Sequence, residues 1–398
     1  KKKKKENILK LVFASFQGVN NGIPKGMVKF LLPLFERFSK NPEARYYVGD
    51  IIGKTEPNII VVSTAFLWFK KSISILIKLM PIKYLQWRKR FILELAYDYL
   101  LARRIQESVV LVSSAYVKRT FEKNEKLGGI NYFIAGNPDD NAIYQILLEE
   151  MQSKNCILKD PYTDKSRVLR IAESINKVHK LFLFTSSQLE TYSVGLNRDK
   201  IIYSEAFVKP NLSEFIDVNI QKNDDFTFCY VAHTVWLKGL TYLIEAWEKA
   251  NIQGAKLCIA GTIDSSVLTF INNNYSEIKN VEFIGAVPDL NSFLRSSHIT
   301  VVPSLLDAGP ATVAESLYCG TPVVCTDGCG SKRLITNKNG LVVEARSVHA
   351  LADGLRKSYN NYSMFDTNVD ELSEIIKSNE VEKFYSLVTS HVIEPKIY

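Results

Sequence analysis

VVPSLLDAGPATVAESLYCGTPVV, residues Val301–Val324, is the stretch whose reading decides the fold. A run of buried-strand character ends at Pro303, and an acid-bearing loop, Ser304 to Gly309, follows it. The pattern then predicts a helix that starts near Pro310 and stops at Gly320, with another strand beginning after Pro322. Gly at the N-cap, Pro at the first helical position and Gly past the end match the usual preferences of helix termini. On this reading the backbone N–H groups of Ala311, Thr312 and Val313 point out of the helix N-terminus, an arrangement suited to an anion such as a diphosphate. Asp307 lies in the loop and Glu315 eight positions later in the helix, so both carboxylates are expected to border the same pocket. Two acids beside a phosphate site repel it unless they bind hydroxyls. Carboxylates accept hydrogen bonds from sugar diols, which suggests a ribose for one acid and a second sugar for the other.

Working outward, short apolar strands alternate with helices on both sides of this segment. Phe226–Ala232, Ala255–Ala260, Val281–Ile284, Ile299–Val302 and Val323–Cys325 read as strands. Leu240–Ala250 reads as a helix, its Leu240, Leu243, Ile244 and Trp247 falling at i, i+3, i+4 and i+7. The first half repeats the alternation, with strands at Leu9–Phe16, Ala44–Val48, Ile59–Ser63, Val109–Ser113 and Ile130–Ala135 and a helix around Met27–Phe38. Such alternation implies parallel sheets covered by helices. At 398 residues the chain suits two or three units at about 150 residues each, and two doubly wound units account for the pattern. The expected division is a first domain over 1–208, a linker at 209–225, a second domain over 226–360 and a helical tail over 361–398 that packs back on the first domain.

Composition narrows the class. With 46% hydrophobic and 23% charged residues the chain can bury cores and carries no disorder signature. Cys156, Cys229, Cys258, Cys319, Cys325 and Cys329 are scattered and read as buried thiols of a reducing compartment. Cys325 and Cys329 have no second pair or His cluster to complete a zinc site, so no metal is expected. Lys1–Lys5 read as a basic leader, and no apolar run approaches the roughly 18 residues of a spanning helix. The net charge of +8 concentrates in 66–104, where Lys70, Lys71, Lys78, Lys83, Arg88, Lys89, Arg90, Arg103 and Arg104 are interleaved with Trp68, Phe69, Ile75 and Trp87. That mixture reads as contact with an anionic membrane surface. The alternative is one or two core helices with a solvated basic face. No nucleic-acid recognition motif accompanies it.

The acid pair, its spacing and the helix between resemble the acid-x7-acid motif of the retaining GT-B glycosyltransferases, glycosyltransferase family 4 or group 1. The resemblance is specific over 226–358 and loose before it. It implies a GT-B fold, two doubly wound Rossmann-like domains facing across a cleft, and transfer of a sugar from a UDP- or GDP-linked donor with no further cofactor and no metal. It implies that Glu315 holds the nucleotide ribose, that Asp307 touches the transferred sugar and that Gly309, Pro310, Ala311, Thr312 and Val313 form the diphosphate-binding turn. In YVAHTVWLKGLTYLIEA, Lys238 matches the family lysine that neutralises the leaving diphosphate, and His233 stands where Arg is usual. Gly261 and Gly285 match turns where the nucleotide approaches the backbone, while Gly22 and Gly26 in NNGIPKG read either as a loop facing the donor phosphates or as an ordinary strand-to-helix turn. Departures are Asp307 for the usual Glu, Pro310 for Gly, Arg333 where an acid is common in TDGCGSKRL, and Ala135 where the family has a His. Asn137 and Asp139 are then the acceptor-side candidates. The resemblance suggests a saccharide acceptor, possibly lipid-linked, and a cytoplasmic enzyme peripheral to a membrane. A GT-B nucleotide-sugar epimerase and a lapsed scaffold subunit are the competing readings.

Overall fold

The structure is a computed structural model that describes residues 9–20, 23–24, 26–53, 56–79, 83–206, 220–275, 278–367 and 380–394. The chain divides into two compact units. The first comprises Lys1–Phe184, Thr191–Ala206 and Val381–Tyr398, and the second comprises Thr185–Glu190 and Phe207–Glu380. These boundaries differ from those read along the sequence in two places: a six-residue segment ahead of the linker belongs to the second unit, and the tail divides after Glu380 rather than at 360. Most of the expected linker, up to residue 219, lies outside the described residues, as do Lys1–Lys5 and Gly22.

The first unit is built on a seven-stranded parallel sheet in the order Ile201–Tyr203, Lys180–Leu183, Ile130–Ile134, Val110–Ser113, Leu11–Ser15, Ala44–Val48, Ile59–Val61. Both faces of its central strands are covered: Leu11–Ser15 and Val110–Ser113 are buried at every position, as parallel strands between helix layers must be. Phe13 meets Phe35 and Tyr46 edge to face on one side of the sheet. On that side the helix Glu380–Ile393 contributes Phe384, Tyr385, Val388 and Val392, and the Tyr385 hydroxyl donates to Phe30 O at 2.6 Å. The basic, aromatic segment forms two helices, Thr64–Leu79 and Lys83–Arg104.

The second unit holds a six-stranded parallel sheet in the order Val281–Gly285, Ala255–Ala260, Phe226–Val231, Ile299–Val302, Val323–Thr326, Gly340–Val343. The helix Leu240–Ala250 buries the four positions its periodicity names, and Thr241, Tyr242 and Ala246 besides, because it lies between the sheet and the helix Val348–Asn360. The order of each sheet reverses once. In the second unit the reversal falls between Phe226–Val231 and Ile299–Val302, and in the first between Leu11–Ser15 and Val110–Ser113. Ligands of open parallel sheets bind beyond the carboxyl ends of the strands at such switch points, where neighbouring loops turn in opposite directions and open a crevice.

Candidate functional site

In the second unit the two loops that leave the switch point are the ones singled out from the sequence. After Phe226–Val231 the chain runs through His233 to a short 3-10 turn, Trp236–Lys238. Trp236 anchors that turn, buried against Phe270 and donating from Nε1 to Ser266 Oγ at 3.1 Å. Gly239 then takes a left-handed conformation (φ 70°) and starts the helix Leu240–Ala250. A side chain there would put its Cβ 1.8 Å from Pro303 O, so glycine is required both by φ and by the close approach of the second loop. The loops are joined directly, Leu305 N–H donating to Leu237 O at 2.7 Å. The consequence is an ion pair between Lys238 Nζ and Asp307 Oδ2, with the lysine partly exposed and the acid nearly buried.

Asp307 is held from three sides. Its Oδ1 accepts from Gly309 N–H at 3.1 Å, and its backbone pairs like a parallel strand with Cys329, through Asp307 N–H to Gly328 O and Gly330 N–H to Asp307 O. Ser187 Oγ donates to Asp307 O at 2.9 Å from the short segment Thr185–Glu190 of the same unit. The turn TDGCGSK therefore acts as a brace for the acid loop. Gly328 and Gly330 lie so close to it that added Cβ atoms would stand 2.4 Å from Leu305 O and 1.7 Å from Ala308 O.

The helix after Asp307 spans Ala311–Tyr318, with Pro310 as its N-cap. The sequence reading placed Gly309 at the cap and Pro310 inside the helix; the correction is one residue, because a proline φ of −60° suits either place and its ψ of 119° is extended. A second correction concerns Val313, whose N–H donates to Pro310 O at 3.2 Å. The N–H groups of Ala311 and Thr312 have no partner among the described residues and are left to meet an anion. Thr312 Oγ1 lies 3.5 Å from Val231 O, which places this helix end at the carboxyl end of the central strand. Glu315 stands in the next turn, partly buried and four residues beyond Ala311, on the same side of the helix.

His233, Gly261 and Gly285 gather beside this group. His233 Nδ1 lies 2.6 Å from Thr262 Oγ1, and Gly261 N–H donates to Gly285 O at 2.6 Å. Gly261 (φ 104°) would place a Cβ 2.0 Å from Ala232 O, so the first and second strand loops are also packed backbone to backbone. Arg333 is bound to Glu380 through two hydrogen bonds, of 3.1 and 2.5 Å.

The first unit has its own cavity at its switch point, about 260 Å³ and lined by Phe16, Gln17, Tyr97, Ser114, Tyr116 and Asn137 with Arg90 and Glu94. Beneath it is a charge network that sequence reasoning missed. Fully buried Arg167 donates to Glu94 from Nε and Nη2 (2.8 and 3.0 Å) and to Asp140 from Nη1 (2.8 Å), and Arg90 Nε donates to Glu94 at 3.0 Å. Burial opposes ionisation of Glu94, but the guanidiniums of Arg167 and Arg90 outweigh it and hold the carboxyl below its usual range. Asn137 reaches the wall and donates to the Tyr162 hydroxyl at 3.3 Å. Asp139 does not line this cavity; it caps the helix Asp140–Ser153 by accepting from Asn141 N–H at 3.2 Å. Ala135 is buried, with its N–H donating to Phe182 O.

Five of the six cysteines are buried thiols, and Cys156 is partly exposed. Among the described residues no group of His, Cys, Asp and Glu is placed to hold a metal ion.

Residues 213–379 match the family described as "Glycosyl transferases group 1". The second unit is a group 1 glycosyltransferase domain. An uncharacterized glycosyltransferase of Haemophilus influenzae is 24% identical over 198 residues, 46% of this chain and 56% of the relative. The N,N'-diacetylbacillosaminyl-diphospho-undecaprenol alpha-1,3-N-acetylgalactosaminyltransferase of Campylobacter jejuni is 24% identical over 165 residues, 40% of this chain and 42% of that protein. The chain thus spans about half the length of the curated relatives it matches. Among solved structures, HepE of Anabaena, crystallised with UDP, superposes with a TM-score of 0.60 at 12% identity, over 96% of this chain and 99% of that one. That likeness shows the fold, which is GT-B.

The group 1 glycosyltransferase domain accounts for the grouping of Lys238, Asp307, Glu315, His233, Gly261 and Gly285 on adjoining loops. It leaves Ser187 and the first unit's charge network unexplained by motif. In that first unit, burial raises the Asp139 carboxyl to about 6. An acid whose folded-state pKa is raised is penalised when ionised, so stability falls as pH rises from about 4 through about 6 and stays lower above it. Asp139→Asn keeps a good N-cap without the charge. It is expected to be more stable than wild type at pH 7 by on the order of 2 kcal/mol, seen as a higher unfolding temperature, and to match it near pH 4. Equal gains at both pH values would rule out the buried charge as the cause.

Proposed function

We propose that the protein moves a sugar from a UDP- or GDP-linked donor to a saccharide acceptor, with retention of anomeric configuration and without a metal. The observation that carries this reading is the Lys238–Asp307 pair at the switch point, beside a helix N-terminus with two open N–H groups and Glu315 one turn on. Glu315 would accept from the ribose hydroxyls. The diphosphate would sit at the N–H groups of Ala311 and Thr312, drawing Lys238 from Asp307 and freeing that carboxylate for the hydroxyls of the donor sugar. In the transfer step the acceptor hydroxyl oxygen bonds to the anomeric carbon as the bond from that carbon to the diphosphate breaks. The departing phosphate oxygen takes the hydroxyl proton. Lys238, the helix terminus and His233 stabilise the charge that develops on the diphosphate. His233 carries less positive charge than the family arginine when neutral, which leaves Lys238 the principal cation.

The acceptor is assigned to the first unit's cavity, where neutral donors and acceptors (Gln17, Ser114, Asn137) stand beside aromatic rings and the Arg90–Glu94 pair. A cavity just under the usual range for small-molecule sites suits one sugar ring. The Campylobacter relative is named for a diphospho-undecaprenol saccharide, which supports a lipid-linked acceptor in surface polysaccharide or glycolipid assembly and a place at the cytoplasmic face of a membrane. None of the described helices is long and apolar enough to cross one.

Calorimetric titration of UDP, GDP and their sugar conjugates tests the reading. One nucleotide is expected to bind wild type, and Glu315→Ala to weaken it at least tenfold, since hydrogen bonds to a carboxylate contribute about 1.5–3 kcal/mol each. Equal affinity in the variant removes the assignment of Glu315. Failure of every nucleotide to bind points to a scaffold subunit instead.

A further inference from the structure

We propose that the outward face of the helix Thr64–Leu79 docks the protein on an anionic lipid bilayer. The inference rests on the membrane placement just given and locates it on one element. A helix at the surface of a soluble unit needs one apolar stripe, and this helix has two. Its inner stripe is Phe66 and Ile73, both buried, with Phe66 edge to face against Phe16 and Tyr97. On the opposite side Trp68 is 71% exposed and Leu79 76%, with Ile75 between them and Phe69 and Leu76 flanking. At about 100° per residue, positions 68, 75 and 79 fall within roughly 40° of one another. This is an apolar ridge facing solvent, interrupted by exposed Ser72, and no described residue covers Trp68, Ile75 or Leu79.

Charge selects the occupant. No Asp or Glu occurs from Thr64 to Leu79, whereas Lys70, Lys71 and Lys78 do. Lys71 is exposed and lies 5.8 Å from the Trp68 ring, at the edge of the ridge, and Lys70 is bound to Asp50. An apolar face with Trp at its end, an exposed lysine at its edge and no acid within the helix is the pattern of a helix lying in the interface of an anionic leaflet. A second copy of the chain fits poorly, because a two-fold contact would set this helix against its own lysines with no acid on it to pair them. Several cations of the second helix are held within the protein instead. In the helix Lys83–Arg104, Arg88 is held by Asp164, Arg90 by Glu94, and Arg104 Nε donates to Val62 O. The proposal places the membrane contact read over 66–104 on its first helix.

Co-sedimentation of the full chain with phosphatidylglycerol and with phosphatidylcholine vesicles tests this, with the double variant Trp68→Asp, Leu79→Asp as comparison. Both side chains are exposed, so the variant should fold, and an unchanged circular dichroism spectrum checks that. Wild type should pellet with the anionic vesicles and not the zwitterionic ones, and the variant should lose at least tenfold in partition. Equal pelleting of variant and wild type, equal binding to both lipids or binding to neither overturns the proposal. So does a wild-type dimer in solution that the variant dissociates, which would make a second copy the occupant. Nucleotide titrations on the same two proteins separate the readings: vesicle binding without any nucleotide binding defeats the transferase and leaves the docking face, and the reverse result does the opposite.

Discussion

Lys238→Ala should lower kcat by about 10² to 10³ while leaving the fold in place. The argument is electrostatic. In the ligand-free protein the ammonium of Lys238 is the counterion of Asp307, on a turn pinned by Trp236 and by the Leu237–Leu305 hydrogen bond. A cation so fixed needs no reorganisation when negative charge grows on a leaving diphosphate, and its interaction is stronger in the transition state than with the bound donor. The loss should therefore appear mainly in kcat, with a smaller rise in KM. Asp307 keeps its bond from Gly309 N–H in the variant, so its loop has a reason to stay ordered. Lys238→Arg should recover only part of the rate, because a planar fork does not replace a point charge at a single carboxylate oxygen. Steady-state kinetics decide the matter: a kcat within threefold of wild type for the alanine variant would mean that this lysine is no more than the partner of Asp307.

Gly330→Ala is expected to cost about 10² in kcat/KM although residue 330 touches no substrate in the proposed mechanism. Its Cβ would stand 1.7 Å from Ala308 O and 2.8 Å from Ser187 Oγ. Real Cβ atoms essentially never come within 3.0 Å of such neighbours, so the acid loop must retreat by more than 1 Å. A displacement of that size at a reacting group is enough for a hundredfold loss. The control is Gly309→Ala, two residues from Asp307 itself, where the new Cβ meets Ser331 Oγ and Thr185 Cγ2 at an ordinary 3.6 Å. It should leave thermal unfolding near that of wild type and cost less in kcat/KM than Gly330→Ala, any loss coming from the diphosphate-binding turn to which Gly309 is assigned. If both variants behave alike in kinetics and thermal unfolding, the brace does not position Asp307.

The contrast between these glycines marks what could be read from the chain and what could not. The central strands and the acid-bearing loop were legible because Pro303, Gly309–Pro310, Gly320 and Pro322 punctuate an otherwise apolar run, and those residues act on the backbone locally. The strands Lys180–Leu183, Ile201–Tyr203 and Gly340–Val343 were not, being three or four residues long and at or near sheet edges, where periodicity has no room to show. Arg167 looked like any helical arginine, since its partners Glu94 and Asp140 lie 73 and 27 positions away. Ser187 donates to a residue 120 positions on. Motif resemblance named the residues that the proposed mechanism assigns to the donor, and was silent about those that hold them in place.

The short segment Thr185–Glu190 also limits how the chain can be cut. It belongs to the second unit while its neighbours on either side in sequence belong to the first, so the polypeptide passes between the units four times, at 184/185, 190/191, 206/207 and 380/381. A fragment beginning at Phe207 would carry the whole six-stranded sheet with Lys238, Asp307 and Glu315, and would still leave behind the hydroxyl that supports Asp307. If the proposed function holds, exchange of the second unit between relatives to alter sugar choice would have to carry this six-residue insert from ahead of it in the gene, or expect a loosened acid loop.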